Sequence, residues 1–147
     1  MAGRIKRANF ESQNILLKLI ADSGLSLMMK ILICEDNQLA SKAMSVVLDR
    51  EGYETVIASD GNSALDILRN HEFSLVIIDI HLPYHSGLEI IRFLRTDLKK
   101  KTPVLIVTAF SDPQMQRQAN EMKVSGYITK PFNPDDLIMK IRSLINE

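Results

Sequence analysis

The stretch Leu75-Val76-Ile77-Ile78-Asp79 decides the fold. Four consecutive apolar residues without polar alternation are typical of a strand that is buried on both faces of a parallel sheet. Because an unpaired charge is costly to bury in a core, we expect Asp79 to lie where this strand ends. Open α/β folds place their chemistry at that carboxyl edge of the sheet. Asp79 is therefore the first candidate site residue.

Strand-like and helix-like segments alternate on both sides of this stretch. The apolar runs predict strands at residues 30–34, 55–58, 75–79, 104–107 and 126–129. A helix is predicted after each strand, and the second to fifth helices have these predicted N-caps: Asp60, Ser86, Ser111 and Asn133. The first helix, residues 38–51, carries apolar residues on one face: Leu39, Ala43, Val46 and Val47. Five such units predict an α/β fold with a doubly wound, five-stranded parallel sheet.

The composition limits the class of protein. A chain of 147 residues is long enough for one domain with its own core, and too short for two ordinary domains. Its 18 basic and 18 acidic residues cancel, so net charge gives no argument for nucleic acid binding. The single cysteine, Cys34, cannot form an internal disulfide, and no apolar run approaches the roughly 20 residues that span a bilayer. We therefore expect a cytoplasmic protein without a membrane span.

Residues 1–28 differ from the rest of the chain. They carry four basic and two acidic residues, a net charge of +2. An apolar stripe at helical spacing includes Phe10, Leu17 and Ala21, and Gly24 is placed to end that helix. We interpret residues 1–28 as an N-terminal helical extension and residues 29–147 as the domain. Three roles stay open: a terminal helix packed on the domain or without function, a partner-binding or dimer-forming helix, and a membrane-surface or nucleic-acid arm.

Polar residues stand at the ends of the predicted strands. Since right-handed crossovers bring all carboxyl ends of a parallel sheet to one edge, we expect the following residues to lie close together: Glu35, Asp36, Asp79, Thr108 and Lys130. Three converging carboxylates repel one another and need a counter-charge, which Mg²⁺ and a lysine can supply. Such a site suits a phosphoryl group carried by a carboxylate, with Asp79 as the nucleophile.

These residues resemble the receiver domain of two-component response regulators, in its single-domain, chemotaxis-regulator-like form. The resemblance rests on Glu35-Asp36, Asp79, Thr108 and Lys130-Pro131, and it covers residues 30–145. A Pro-x-x-x-Gly loop, Pro83 to Gly87, follows the acceptor as in that family. The resemblance implies the flavodoxin-like strand order 2-1-3-4-5.

The family's residue roles carry over to matching positions. Asp79 would accept phosphate from the phosphohistidine of a histidine kinase. Asp36 and Asp79 would bind Mg²⁺ (or Mn²⁺) directly, the backbone carbonyl of His81 would be a third ligand, and Glu35 would act mostly through water. His81 is a bulky departure at its position and would affect the lifetime of the phosphate.

Three further residues complete the implied switch. Thr108 would move to hydrogen-bond the phosphoryl group, and Lys130 would pair with it. Tyr127 would be the aromatic switch residue that turns inward when Thr108 moves. The bond between Lys130 and Pro131 would be cis, which X-Pro bonds tolerate.

The expected function is a phospho-acceptor signalling switch. Its partners would be a histidine kinase or phosphotransfer protein and a downstream protein bound by the fourth helix, fifth strand and fifth helix, with a homodimer possible and no direct nucleic acid contact. It would not be an enzyme beyond its own phosphorylation and dephosphorylation. Three alternatives stay open: a phosphorylation-independent interaction module, a receiver fragment of a larger regulator, and a hydrolase with an aspartyl-phosphate intermediate. The hydrolase is disfavoured because position 81 holds histidine where such enzymes use an acid/base aspartate.

Overall fold

A computed structural model of the chain describes residue 15, residues 29–109 and residues 112–145. Strands and helices alternate from residue 30 onward: β1 (Lys30–Cys34), α1 (Gln38–Arg50), β2 (Glu54–Ala58), α2 (Gly61–Asn70), β3 (Leu75–Ile78), α3 (Gly87–Arg92), β4 (Val104–Thr108), α4 (Pro113–Glu121), β5 (Gly126–Thr129) and α5 (Pro134–Ile145). Of the predicted extension, only Ile15 is described, and it is helical. Within the described ranges, each helix is too short or too polar to cross a bilayer.

The five strands form one parallel sheet in the order β2-β1-β3-β4-β5. This confirms the order implied by the family resemblance. Cys34 pairs with Ile78 in the register of β1 and β3, so the residues that follow them, Glu35 and Asp79, leave the sheet side by side. The topology therefore brings the candidate carboxylates to the same edge.

The sheet separates two apolar layers. Alternate strand residues point to one side, where Ile33 and Ile77 pack with α1 and α5, or to the other, where Leu32 and Ile78 pack with α2, α3 and α4. Both faces of β3 are thus covered, which explains its unbroken apolar sequence. Each fully buried side chain of this size contributes about 1.5–3 kcal/mol of transfer free energy.

Helix α1 faces the sheet with a different side from the one its apolar stripe predicts. The buried residues are Ser41, Met44 and Leu48, whereas Leu39 is 83% and Val46 is 41% exposed. Ser41 tolerates burial because its hydroxyl donates to the carbonyl of Gln38 within the helix, at 3.2 Å. Of the predicted stripe, Leu39, Ala43 and Val46 therefore face solvent, whereas Val47 is partly buried and packs against the core.

Polar caps fix where the helices begin. The side chains of Asp60, Ser86 and Asn133 each accept a backbone N–H from the first turn of their helix, as predicted. The predicted cap of α4, Ser111, lies outside the described residues. Asp112 caps that helix instead, because its carboxylate accepts the N–H of Met115 at 2.7 Å.

Helix α3 continues into a π-helical turn, Phe93–Asp97, which contains Arg95. The guanidinium of Arg95 donates to the carbonyls of Met122 at 2.8 Å, Lys100 at 3.0 Å and Lys123 at 3.4 Å. These carbonyls lie just after α4 and just before β4. The side chain of Arg95 therefore joins the end of α3 to the connection that precedes β4 and to the connection that follows α4.

Candidate functional site

Three carboxylates converge at the carboxyl edge of the sheet. Glu35, Asp36 and Asp79 each offer one oxygen, and these oxygens all lie within 4.8 Å of one another. Glu35 is 2% exposed and Asp79 is 8% exposed, whereas Asp36 faces solvent. The structure thus brings the predicted acidic residues into one cluster that is open to water on the side of Asp36.

Lys130 supplies the positive charge beside this cluster. Its Nζ donates to Asp79 Oδ2 at 2.9 Å and also to Glu35 Oε1. The backbone N–H of Lys130 donates to the carbonyl of Thr108 at 2.9 Å, which holds the end of β5 against the end of β4. The peptide bond between Lys130 and Pro131 is cis. The predicted lysine therefore contacts two of the three carboxylates directly.

Burial and pairing shift two pKa values in the cluster. Burial raises the pKa of Glu35 above its ordinary range, and the nearby charge of Asp79 adds to this, although Lys130 and the N–H of Asn37 oppose it. Burial alone would lower the pKa of Lys130, but its bonds to Glu35 and Asp79 outweigh burial and raise it. Lys130 is therefore a firmly protonated cation at neutral pH.

Backbone contacts fix the position of Asp79. Its N–H donates to the carbonyl of Cys34 at 3.0 Å, and its Oδ1 accepts the N–H of His81 at 3.0 Å. With Oδ2 bound to Lys130, both carboxylate oxygens have a donor. The side chain is held in one orientation at the centre of the site.

Gly87 shows why the loop after Asp79 needs a glycine. A Cβ at this position would lie 2.6 Å from the carbonyl oxygen of Asp79 and 2.8 Å from the Cα of Ile80. The N–H of Gly87 also donates to the carbonyl of Ile80 at 2.9 Å. The start of α3 therefore packs directly on the backbone of the candidate acceptor.

The other predicted site residues lie around this centre. Thr108 ends β4 and is 2% exposed. The side chain of Tyr127 is half-buried, and its hydroxyl donates to Asn120 Oδ1 at 2.8 Å and lies 3.3 Å from the carbonyl of Gln116, so it joins β5 to α4. His81 is exposed. The structure thus places Thr108 at the site's edge, and it directs the hydroxyl of Tyr127 to α4.

Sequence reasoning missed Asn37. Its N–H lies 3.4 Å from Glu35 Oε2, and its side chain caps α1 by accepting the N–H of Ala40 at 2.9 Å. The strong preference for asparagine at N-caps was the available signal, one residue before the predicted helix start. Asn37 couples the position of Glu35 to the start of α1.

Comparison with known proteins agrees with this geometry. Residues 31–142 match the family model described as the response regulator receiver domain. The chain belongs to this family. The polar-differentiation response regulator DivK of Brucella ovis is 34% identical over 118 residues, which is 80% of this chain and 96% of DivK. The resemblance inferred from the strand-end residues is thereby confirmed.

Relatives of this receiver domain include longer and equally short proteins. The transcriptional regulatory protein CrdR of Helicobacter pylori is 31% identical over 118 residues, and the match spans 80% of this chain but only 55% of CrdR. Among solved structures, the chemotaxis protein CheY4 of Vibrio cholerae superposes with a TM-score of 0.75 at 28% identity, over 80% of this chain and 99% of CheY4. The receiver fold is thus shared with a regulator more extensive than this chain and with single-domain proteins.

Proposed function

We propose that this receiver domain is a phospho-acceptor signalling switch of a two-component system. Asp79 receives a phosphoryl group from a histidine kinase or phosphotransfer protein, and the domain then signals through protein contacts. The observation that carries the proposal is the cluster itself: a buried, oriented Asp79 with Lys130 Nζ 2.9 Å from Oδ2. A carboxylate with only a structural role would not need two neighbouring carboxylates at the same edge.

The proposed transfer uses the groups already in place. A carboxylate oxygen of Asp79 forms a bond to phosphorus while the bond between phosphorus and the donor's imidazole nitrogen breaks, and the electron pair stays on that nitrogen. Lys130 moves its hydrogen bond from the carboxylate to a phosphoryl oxygen and offsets its negative charge. The N–H of His81, 3.0 Å from Oδ1, keeps the carboxylate oriented during the transfer.

The acidic cluster has the donor set for a magnesium ion. Its candidate ligands are oxygens of three carboxylates within 4.8 Å of one another, and hard cations such as Mg²⁺ prefer oxygen ligands. Asp36 and Asp79 would hold the ion directly and Glu35 through water, while Mn²⁺ suits the same donors. When bound, the ion neutralises negative charge on the phosphoryl oxygens.

The proposed output passes through Thr108 and Tyr127. Thr108 is buried at the end of β4, and the hydroxyl of Tyr127 is bonded to Asn120 of α4 in this structure. Movement of Thr108 toward a phosphoryl group would favour an inward position of Tyr127, which breaks that bond. The surface formed by α4, β5 and α5 then changes its affinity for a downstream protein or for a second copy.

The proposal limits catalysis to the domain's own phosphorylation and dephosphorylation, and it places the protein in the cytoplasm. The alternatives are an interaction module that works without phosphorylation and a receiver segment of a larger regulator. The match covers only 55% of CrdR, so a receiver domain of this kind also occurs as one part of a longer regulator. This observation supports the second alternative.

The test is the intact mass of the protein after incubation with acetyl phosphate and Mg²⁺. We expect the native chain to gain the mass of one phosphoryl group, and we expect Asp79→Asn to gain none. Asp66→Asn is the matched control, because Asp66 is an exposed carboxylate on α2, outside the cluster. Chelation of the metal should prevent the gain. An unmodified native chain would favour the phosphorylation-independent module, and a gain that persists in Asp79→Asn would place the acceptor elsewhere.

A further inference from the structure

An apolar groove lies between α1 and α5. It has a volume of about 470 Å³, and its lining includes Ala40, Ala43 and Val47 from one side and Phe132, Pro134 and Leu137 from the other. Both helices begin at the site edge of the sheet, so the groove opens there. At the other end, an ion pair between Arg142 and Glu51 joins the two helices.

The exposed stripe of α1 extends this groove. Leu39, Ala43 and Val46 face solvent on the outer side of the helix, and Ala40 and Val47 connect them to the groove lining. Contiguous exposed apolar surface of this kind marks a site of interaction. An amphipathic helix typically binds to such an apolar groove, with apolar side chains at helical spacing inserted into it.

We propose that the predicted N-terminal helix docks in the groove between α1 and α5 through its apolar stripe, which runs from Phe10 to Ala21. The sequence places Phe10, Leu17 and Ile20 on its apolar side. Ile15, at the border of that stripe, is helical and 61% exposed in the structure, so its side chain is accessible to a partner surface. The apolar side of the predicted helix and the apolar lining of the groove are therefore complementary, and both belong to one chain.

The length of the chain allows this docking. Twelve helical residues span about 18 Å, close to the roughly 20 Å of the 13-residue helix α1. Met29 is anchored at the start of β1, where its carbonyl accepts the N–H of Glu54 at 2.9 Å. The five residues from 24 to 28 reach up to about 17 Å when extended, which matches the length of the five-residue β1.

Charge complementarity favours the same arrangement. Residues 1–28 carry a net charge of +2, so the remainder of this neutral chain carries −2. Asp36, just before α1, and Asp135, in the first turn of α5, are exposed near the open end of the groove. Lys130 also lines the groove, but it is paired with two carboxylates. Docking with the start of the helix at this end would bring the basic residues before Phe10 close to the carboxylates of Asp36 and Asp135.

Docking would also cover one side of the phosphorylation site, because Lys130 lies in the groove wall. A docked helix would then compete with a protein that delivers phosphate to Asp79. This consequence rests on the proposed function, whereas docking itself does not. The test below uses no phosphate, so a failure of either proposal can be told apart from a failure of the other.

The experiment places a nitroxide label at the start of the segment in the full chain, through Asn9→Cys. Cys34 stays unmodified because it is buried, and burial raises its thiol pKa. We expect paramagnetic broadening to remove the amide signals of Ala43 and Val47 and to spare those of α3. Leu17→Asp, which places a charge on the apolar stripe, should restore the lost signals.

A matched pair of lysine substitutions locates the docking site. Ala43→Lys introduces a charge into the groove and should also restore the signals, whereas Met139→Lys, at a position on α5 that is 70% exposed and outside the groove lining, should not. Both positions are exposed, so neither change is expected to unfold the domain. Broadening that is absent, that falls on another face, or that survives Ala43→Lys would overturn the proposal. A mixture of nitroxide-labelled chains and isotope-labelled chains provides a further control. Broadening in that mixture would also overturn the proposal, because it would show that the groove binds the helix of a second copy.

Discussion

Replacing Lys130 with methionine tests the electrostatics of the site. The change keeps most of the aliphatic length of the side chain and removes its charge, so it isolates the contribution of the cation. Opposite unit charges 2.9 Å apart, as for Lys130 and Asp79, attract by about 6 kcal/mol at an effective dielectric constant near 20. At that dielectric constant, two carboxylates within 4.8 Å repel each other by about 3 kcal/mol or more.

The net loss of stability is smaller than these gross energies. Removing one partner of a buried ion pair typically costs about 3–5 kcal/mol, because the remaining charge is left without compensation. Lys130 is 25% exposed, so water can enter and solvate part of that charge. We therefore expect Lys130→Met to lower the free energy of unfolding by about 2–3 kcal/mol at neutral pH.

The pH dependence has a defined sign. Burial already raises the pKa of Glu35 above its ordinary 4.5, and loss of Lys130 would raise it further. When folding raises the pKa of a carboxyl group, the ionised group destabilises the folded protein at a pH above the folded-state pKa. This destabilisation disappears at a pH below the pKa of the unfolded state. Protonation also removes the ion pair of the native chain. The difference between native and variant chains should therefore shrink as the pH falls from about 7.5 to about 4.5.

The assay is urea unfolding followed by far-ultraviolet circular dichroism at both pH values. Lys100→Met is the matched control, because Lys100 pairs at 2.7 Å with Glu72, which is 81% exposed, and such a surface pair contributes at most about 1 kcal/mol. If Lys130→Met were as stable as Lys100→Met at neutral pH, the cluster would not depend on the lysine. A gap that widened on acidification would refute the assignment of the effect to unpaired carboxylates.

Three further changes test the framework around the site. Gly87→Ala should destabilise the domain by about 1–3 kcal/mol in urea unfolding and shift the amide resonance of Asp79, because the new methyl group overlaps backbone atoms of Asp79 and Ile80. Asp112→Ala should lower stability by about 1 kcal/mol through loss of the N-cap of α4, with faster amide exchange in its first turn, whereas Asp112→Asn should keep most of it. Arg95→Met should cost about 2 kcal/mol by thermal or urea unfolding and increase exchange in the connection between α4 and β5; unchanged exchange there would mean that its three bonds do not hold that connection.

The strand pattern carried most of the fold prediction. Buried parallel strands have a short, strongly apolar signature, and the run that ends at Asp79 is too short and too rich in β-branched residues for a buried helix. Once five such runs alternate with capped helices, the direction of every strand follows, and with it the edge at which Glu35, Asp79 and Lys130 meet. The approximate site was therefore predictable without side-chain coordinates, although the contact of Lys130 with both carboxylates was not.

Helix α1 shows where local pattern stops being sufficient. Two different stripes, one through Leu39 and Val46 and one through Met44 and Leu48, both fit helical periodicity. The choice between them depends on how the helix packs on β1 and against α5, which no window of the sequence contains. The same limit applies to Arg95, whose carbonyl partner Met122 is 27 residues away, and to Gly87, whose requirement arises from the close approach of two backbone segments.

The misassigned stripe and the charged cluster follow from one arrangement of the fold. Because β1 must deliver Glu35 and Asp36 to the sheet edge, α1 begins immediately after them, capped by Asn37. That tight turn fixes the rotation of α1, which turns Met44 toward the core and leaves Leu39 and Val46 exposed. The geometry that assembles the carboxylates thus also leaves an exposed apolar surface beside them. This apolar surface lies next to the site because α1 begins directly after Glu35 and Asp36. A molecule that binds to it is therefore placed to affect access to Asp79.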